Sequence, residues 1–257
     1  MTGAGSRGEG IGNGRAIAVL MAQAGARVVA ADRDASALDA TLAMIAETGV
    51  PGLGVVADVG DPAGCAQIVN GALERFGQLD VLVNNVGIVG PAGTAEDVDP
   101  EAWDEAFRIN VKSVMLMARH AVPALRRSSA AAIVNVSSIV AQRGGHPSLC
   151  YPATKSAVLG MTTAMASHYG PAGIRVNSVM PGNVFTPMVT ARGMSEEMRL
   201  QRRENNLLKI EGTGWDVGYA TLFLASQAAR WITGVILPVD GGLTSSVPLP
   251  TPPVSRG

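Results

Sequence analysis

Apolar residues fall into six short runs separated by longer stretches with a helical pattern. The runs are Arg27–Ala31 (RVVAA), Leu53–Ala57 (LGVVA), Val81–Val83 with its flanks (LDVLVNN), Ile133–Val136 (IVNV), Ile174–Val179 (IRVNSV) and Val235–Val239 (VILPV). They are rich in valine and isoleucine and show little polar alternation, the pattern of parallel strands covered on both faces. Helices are predicted between them over Asn13–Ala24, Ala35–Thr48, Pro62–Phe76, Pro100–Leu125, Tyr151–Tyr169 and Trp215–Ala225. Asp61 stands before Pro62 as an N-cap with proline at the first helical position. The alternation predicts βαβ units and an α/β fold: a doubly wound parallel sheet with helices on both faces. No composition shift or internal repeat marks a second domain, so residues 1–244 read as one unit. The proline-rich stretch 245–257 reads as a disordered tail.

Charge and cysteine usage narrow the classes of function. The formal net charge of the 257 residues is −1, which predicts no bulk attraction to nucleic acid or an anionic membrane. Two cysteines, Cys65 and Cys150, make no disulfide framework and read as reduced thiols of a cytoplasmic protein. No signal peptide is visible, and the apolar runs are too short or interrupted to span a bilayer. His120, His146 and His168 have no ligand spacing to acids or cysteines, so no metal is expected.

The N-terminal stretch MTGAGSRGEGIGNGRAIA carries glycines at 3, 5, 8, 10, 12 and 14. They let the backbone turn tightly and approach a ligand, and the N–H groups of the helix that follows suit a pyrophosphate. A glycine-rich loop alone also fits a merely flexible N-terminus. The next strand tips the balance, because it ends in Asp32, about 20 residues past the turn, where a carboxylate can bind an adenosine ribose. A carboxylate there repels a 2′-phosphate and favours NAD, with NADP as the alternative because Arg33 follows.

Ser138, Tyr151 and Lys155 lie within NVSSIVAQRGGHPSLCYPATK. Tyr151 and Lys155 are four residues apart and share a helix face. A phenol titrates near pH ~10, so ionising it at pH 7 needs roughly 4 kcal/mol of help. A neighbouring ammonium supplies part of that, which makes Tyr151 a candidate general acid or base for carbonyl–alcohol interconversion. Ser138, at a strand end, can hydrogen-bond the substrate oxygen. A tyrosine and a lysine at this spacing on an ordinary helix are the bland alternative.

Taken together, these motifs resemble the classical short-chain dehydrogenase/reductase family from Thr2 to about Leu243. Thr2–Gly5 with Gly10, Ile11 and Gly12 are similar to its cofactor loop, in which Gly3 belongs. Asp58 and Val59 are similar to the pair that meets the adenine. Asn84–Gly87 reads NNVG where the family commonly has NNAG, and includes the cofactor positions Asn85 and Gly87. Asn110 is similar to the asparagine that holds a water in the proton relay. Ser138, Tyr151 and Lys155 match the catalytic set. Pro181–Gly182, Val184 and Thr186 match the segment at the nicotinamide, and Val239–Gly242 the closing strand and turn. The resemblance implies a Rossmann-like fold and an NAD(P)-dependent oxidoreductase acting on a small alcohol or ketone. Tyr151 would move the proton, Lys155 would lower its pKa and bind the nicotinamide ribose, Ser138 would orient the substrate, and Asn110 would keep a water link to Lys155. A homotetramer or dimer is also implied.

Two departures from the family pattern stand out. The glycine loop is longer than the family spacing, with Arg7 where a glycine is expected, so that Arg7 is a candidate phosphate contact. Only Met1 precedes Thr2, so the first, central strand is expected to be missing and its slot to stand open, as if the natural chain began upstream. A catalytically weakened cofactor-binding sensor or scaffold is the reading from another class. A sugar-nucleotide epimerase of the extended branch shares Y-x-x-x-K but needs a larger C-terminal substrate domain. Cys150 reads as a buried filler. His146 is a candidate substrate contact or a surface histidine. Met115, Met117, Met161 and Met165 read as core or subunit contacts, and Met188–Arg203 as a lid or a charged surface helix.

Overall fold

The computed structural model describes residues 1–6, 8, 10–191 and 193–245. The candidate phosphate contact Arg7 and nearly all of the 245–257 tail lie outside the described residues. In chain order the elements are α1 (Asn13–Gln23), β1 (Val28–Asp32), α2 (Ala35–Ala46), β2 (Gly52–Val56), α3 (Pro62–Phe76), β3 (Val81–Asn84), α4 (Pro100–Phe107), α5 (Ser113–Leu125), β4 (Ala132–Val136), α6 (Cys150–Tyr169) and β5 (Arg175–Pro181). They continue with β6 (Val184–Phe185), α7 (Pro187–Thr190), α8 (Glu196–Glu204), β7 (Gly212–Thr213), α9 (Gly214–Ala225) and β8 (Ile236–Val239).

All strand pairs are parallel. β1 pairs with β2, and β3, β4, β5 and β8 follow one another in a second sheet. Because successive side chains of a strand point to opposite faces, β1, β3, β4 and β5 each feed two cores. Val29, Ala31, Leu82, Ile133 and Val176 face α3, α5 and α6. Val28, Ala30, Val83, Val134 and Val179 face α1, α2 and α9. This two-sided burial is why the strands lack polar alternation. α3 starts as predicted, with the Asp61 side chain accepting from Ala63 N and Pro62 at the first helical position, and ends at Gly77 in the left-handed region.

The expectation of an open central slot needs correction. Residues 1–4 enter it and join the two sheets. Thr2 N donates to Val83 O (3.1 Å) on one side, while on the other Ala31 N donates to Met1 O (2.9 Å) and Ala4 N to Ala31 O (3.0 Å). Thr2 is paired with Ala31 as a parallel bridge.

The helix predicted over Pro100–Leu125 runs without a break but widens to a π-helical turn at Arg108–Lys112. The extra residue in that turn carries Asn110 inward, where it is buried. Both cysteines are free and buried, and burial pushes the Cys65 thiol up to about 11. Met117 and Met165 are core residues and Met161 packs against the core, whereas Met115 points outward. Among the described residues no helix is long and apolar enough to cross a membrane.

Candidate active site

A cleft of about 340 Å³ runs along the C-terminal ends of the strands. One end is lined by Asp32, Arg33, Asp34, Asp58 and Val59. The other is lined by Ser138, Tyr151, Lys155, Val184, Thr186, Met188, Val189 and Arg202. In an open α/β sheet this edge is where ligands bind. Of the residues predicted from sequence, Gly3, Gly12, Asp32, Asp58, Val59, Asn85, Gly87, Ser138, Tyr151, Lys155, Val184 and Thr186 line it.

Gly10, Ile11 and Asn110 are predicted there but do not line the cleft. Gly10 turns the loop at φ +106 and its carbonyl accepts from Arg15 Nη1 at 2.9 Å. Ile11 turns its carbonyl towards Gly214 of α9. The Asn110 side chain is anchored: Oδ1 accepts from Ile88 N (2.8 Å), and Nδ2 donates to Ile88 O (2.7 Å) and Thr154 Oγ1 (3.0 Å).

The glycine loop is held from two sides. Asn85 Nδ2 donates to Gly3 O at 2.9 Å and Asn85 N to Thr2 Oγ1 at 3.2 Å. On the far side the buried Arg15 side chain reaches Gly10 O, Thr41 Oγ1 (3.0 Å) and Ala37 O (3.2 Å), and Thr41 Oγ1 donates in turn to Ala4 O (2.8 Å). Arg15 is a site-shaping residue that sequence reasoning missed, because nothing local marks an arginine in the first turn of a helix as buried.

α1 opens at Gly12, which is extended and has no side chain to cap the helix. Ser6 Oγ and Asn13 Oδ1, both of cleft-lining residues, are buried and find no hydrogen-bond partner among the described residues. The loop passes so close to α1 that a Cβ on Gly14 would sit 1.7 Å from Gly3 O and 2.7 Å from Asn85 Nδ2. Gly14→Ala is therefore expected to break the clasp, costing about 2 kcal/mol or more of stability, which urea denaturation checks.

At the end lined by Asp32 and Asp58, the Asp32 carboxylate accepts from Gly5 N (2.9 Å) and Asp34 N (3.1 Å). Burial alone would raise the Asp58 carboxyl, but the Gly60 N–H and the Arg108 guanidinium, 3.1 Å away, outweigh it and hold it below the usual carboxylate range.

At the other end β4 delivers Ser137 and Ser138, and α6 delivers Tyr151 and Lys155. Ser137 Oγ donates to Lys155 O (2.8 Å), pinning the helix to the strand end. Lys155 Nζ donates to Val136 O (2.9 Å) and lies 5.9 Å from the centroid of the Tyr151 ring. Lys155 is only 3% exposed, and burial lowers its ammonium from 10.5 to about 8. At neutral pH it is still mostly protonated. Gly87 leaves room for it, since a Cβ there would lie 3.1 Å from Lys155 Nζ and 3.6 Å from Asn110 Oδ1.

His146 does not line the cleft. Its ring stands 5.2 Å from that of Tyr151, and its Nδ1 accepts from Ser148 N at 3.1 Å. The region Met188–Arg203 forms α7 and α8. α8 has no buried residue, as a charged surface helix requires, yet Met188, Val189 and Arg202 reach the cleft.

Residues 6–244 match a family described as Enoyl-(Acyl carrier protein) reductase. The chain is 37% identical to cis-4-hydroxycyclohexanecarboxylate dehydrogenase of Sinomonas cyclohexanicum over 93% of its own length and 94% of the relative's. It is 34% identical to 2,5-dichloro-2,5-cyclohexadiene-1,4-diol dehydrogenase of Sphingobium indicum, covering 92% and 93%. Its fold is similar to that of a short-chain dehydrogenase/reductase from Burkholderia xenovorans, with a TM-score of 0.89, 37% identity and coverage of 96% and 95%. With the Rossmann-like parallel sheet and the cleft at its strand ends, these likenesses make the chain a member of the classical short-chain dehydrogenase/reductase family of oxidoreductases.

Proposed function

We propose that the protein interconverts a secondary alcohol and a ketone with NAD as its dinucleotide, and that the substrate is built on a six-membered ring. The observation that carries the reading is the buried Lys155 ammonium beside the Tyr151 ring, at one end of a cleft whose other end presents Asp32. The ring follows from two relatives, whose names specify a hydroxycyclohexanecarboxylate and a cyclohexadiene diol as substrates.

The residues fit a dinucleotide. The close passage at Gly14 and the unpartnered Ser6 hydroxyl suit a diphosphate, Asp32 suits ribose hydroxyls, and Val184 and Thr186 flank the nicotinamide end. When bound, the dinucleotide supplies the acceptor or donor of a hydride. In the oxidative direction Ser138 Oγ holds the substrate oxygen and Tyr151 Oη takes the hydroxyl proton as the carbon loses hydride. The Lys155 ammonium stabilises the phenolate that precedes this transfer. Asn110 and Ser137 hold the segments around Lys155 in place.

A screen of cyclic and open-chain secondary alcohols, following absorbance of the reduced nicotinamide with each dinucleotide, tests the reading. Dinucleotide reduction by at least one cyclic alcohol supports it, and none with any alcohol overturns it. Because the Asp32 carboxylate repels a 2′-phosphate, kcat/KM should favour NAD over NADP by about 10-fold or more. Asp32→Ala should abolish that preference, since Arg33 remains to attract the phosphate. An unchanged preference would remove Asp32 from the selection.

A further inference from the structure

We infer that Arg202 is a substrate-binding residue that takes a carboxylate, so that the natural substrate carries an anionic group on an apolar frame. The inference rests on the alcohol–ketone reading above and specifies its substrate class.

α8 carries three arginines within five residues, and they are not equivalent. Arg199 is held by Glu211, with Nε at 2.5 Å from Oε2 and Nη2 at 2.8 Å from Oε1, and also lies 3.6 Å from Glu196. Arg203 lies 3.6 Å from Glu204. Arg202 has no carboxylate within ion-pair distance among the described residues. It makes one long hydrogen bond, from Nη2 to Val184 O at 3.3 Å. Its side chain is partly withdrawn from water, and burial lowers its guanidinium from the ordinary value. A partly desolvated cation without a counter-ion is unfavourable until an anion joins it.

The distribution of charge along the cleft identifies where that anion comes from. The described acids lining it are Asp32, Asp34 and Asp58, all at the adenosine end. At the end where Tyr151 and Ser138 stand, the cleft wall beside Arg202 is made of Val184, Thr186, Met188 and Val189, while the Glu211 carboxylate on the other side of α8 is taken by Arg199. Apart from the Lys155 ammonium, which belongs to the proton-transfer group, the described residues supply there a largely apolar wall and one cation without a carboxylate, Arg202, and no acid. The dinucleotide's diphosphate has its own donors at the glycine loop and the start of α1. An apolar frame with a carboxylate at its far side complements the wall and the guanidinium together. Arginine suits this role because its planar fork can bind a carboxylate through two parallel hydrogen bonds.

The test measures binding rather than turnover. Cyclohexanecarboxylate and benzoate are titrated against the NAD-saturated enzyme beside their primary amides, which keep the shape and lose the charge. Wild-type protein is expected to bind each acid about 10-fold or more tightly than its amide at low salt, with the preference shrinking at high salt. Arg202→Met should erase the preference while moving the amide affinity less than about threefold, and Arg202→Lys should restore part of it. Arg203→Met, on the same helix, should keep it.

No preference for acid over amide in the wild-type protein overturns the inference. So does an acid preference that survives Arg202→Met. If Arg202→Met instead weakens NAD binding by about 10-fold, the anion that Arg202 meets belongs to the dinucleotide, and the inference again fails. Tyr151→Phe should bind the acids as the wild type does. An acid preference that holds while no alcohol reduces either dinucleotide would leave Arg202 as an anion site and remove the oxidoreductase reading instead.

Discussion

Tyr151→Phe is expected to lower kcat about 10³-fold while leaving NAD affinity within about twofold of wild type. The substitution removes one oxygen and keeps the ring that packs near His146 and over which Lys155 sits. What is lost is the group placed to exchange a proton with the substrate oxygen, and positioned acid–base groups contribute roughly 10²–10⁴-fold. Ser138 and Lys155 remain, so binding and orientation survive and the loss falls on kcat rather than KM. Steady-state kinetics with the best alcohol from the screen, together with an NAD titration, separate the two. A variant that keeps more than a tenth of wild-type turnover would show that the phenol does not carry the proton.

Lys155→Met is expected to make the protein much less active and more stable. The lysine is desolvated, and its ammonium titrates at about 8 instead of 10.5. Between these two values the unfolded chain still holds a proton that the folded chain has released, so the stability of the unliganded wild type rises with pH across this window. Below about pH 8 the ammonium is charged in both states and its burial costs the folded state about 3 kcal/mol. Methionine fills similar space without charge. It gives up the hydrogen bond to Val136 O, worth about 1 kcal/mol. The net gain at pH 6.5 is about 2 kcal/mol, or roughly 4–8 °C in Tm for a chain of this size. Near pH 10.5 the gap should close, because the wild-type lysine is then neutral when folded. Thermal melts of both proteins at the two pH values decide it, and a variant that melts lower than wild type at pH 6.5 would refute the argument. Turnover should fall by about 10²-fold or more, since the charge that favours the phenolate is gone.

Much of the fold is legible in the chain because the physics that makes it is local. Six valine- and isoleucine-rich runs each emerge as a parallel strand within one or two residues of the predicted ends, although only the inner ones are buried on both faces, with β2 and β8 partly exposed. Asp61 followed by Pro62 marks the start of α3 by chemistry that needs no neighbour. Features that depend on distant partners are not legible. The two-residue strands β6 and β7 exist only because they pair with each other. The π-helical turn at Arg108–Lys112 leaves no mark in the residue pattern of a continuous helix, yet it determines where Asn110 points.

The candidate site divides in the same way. Tyr151 and Lys155 are found from their spacing, and Asp32 from its place at the end of a strand. Arg15 and Arg202 are missed because an arginine is ordinarily a surface residue, and only the folded chain withdraws these two from water. The slot ahead of Thr2 shows the limit most directly. Counting residues before the first motif predicts an open gap, and four residues prove enough to reach both neighbouring strands.

That short junction gives the ligand a mechanical role. Asp32 and Asp58 belong to the side of the sheet built from β1 and β2, whereas Tyr151, Lys155 and Val184 belong to the side built from β3, β4, β5 and β8. Among the described residues, the backbone hydrogen bonds that tie residues 1–4 to both sheets run from Thr2 to Val83 on one side and between Met1, Ala4 and Ala31 on the other. A molecule long enough to lie along the whole cleft grips both halves and acts as a cross-brace over the seam. Occupancy and rigidity are thus thermodynamically linked, the bound molecule adding to the two cores that already cross this seam.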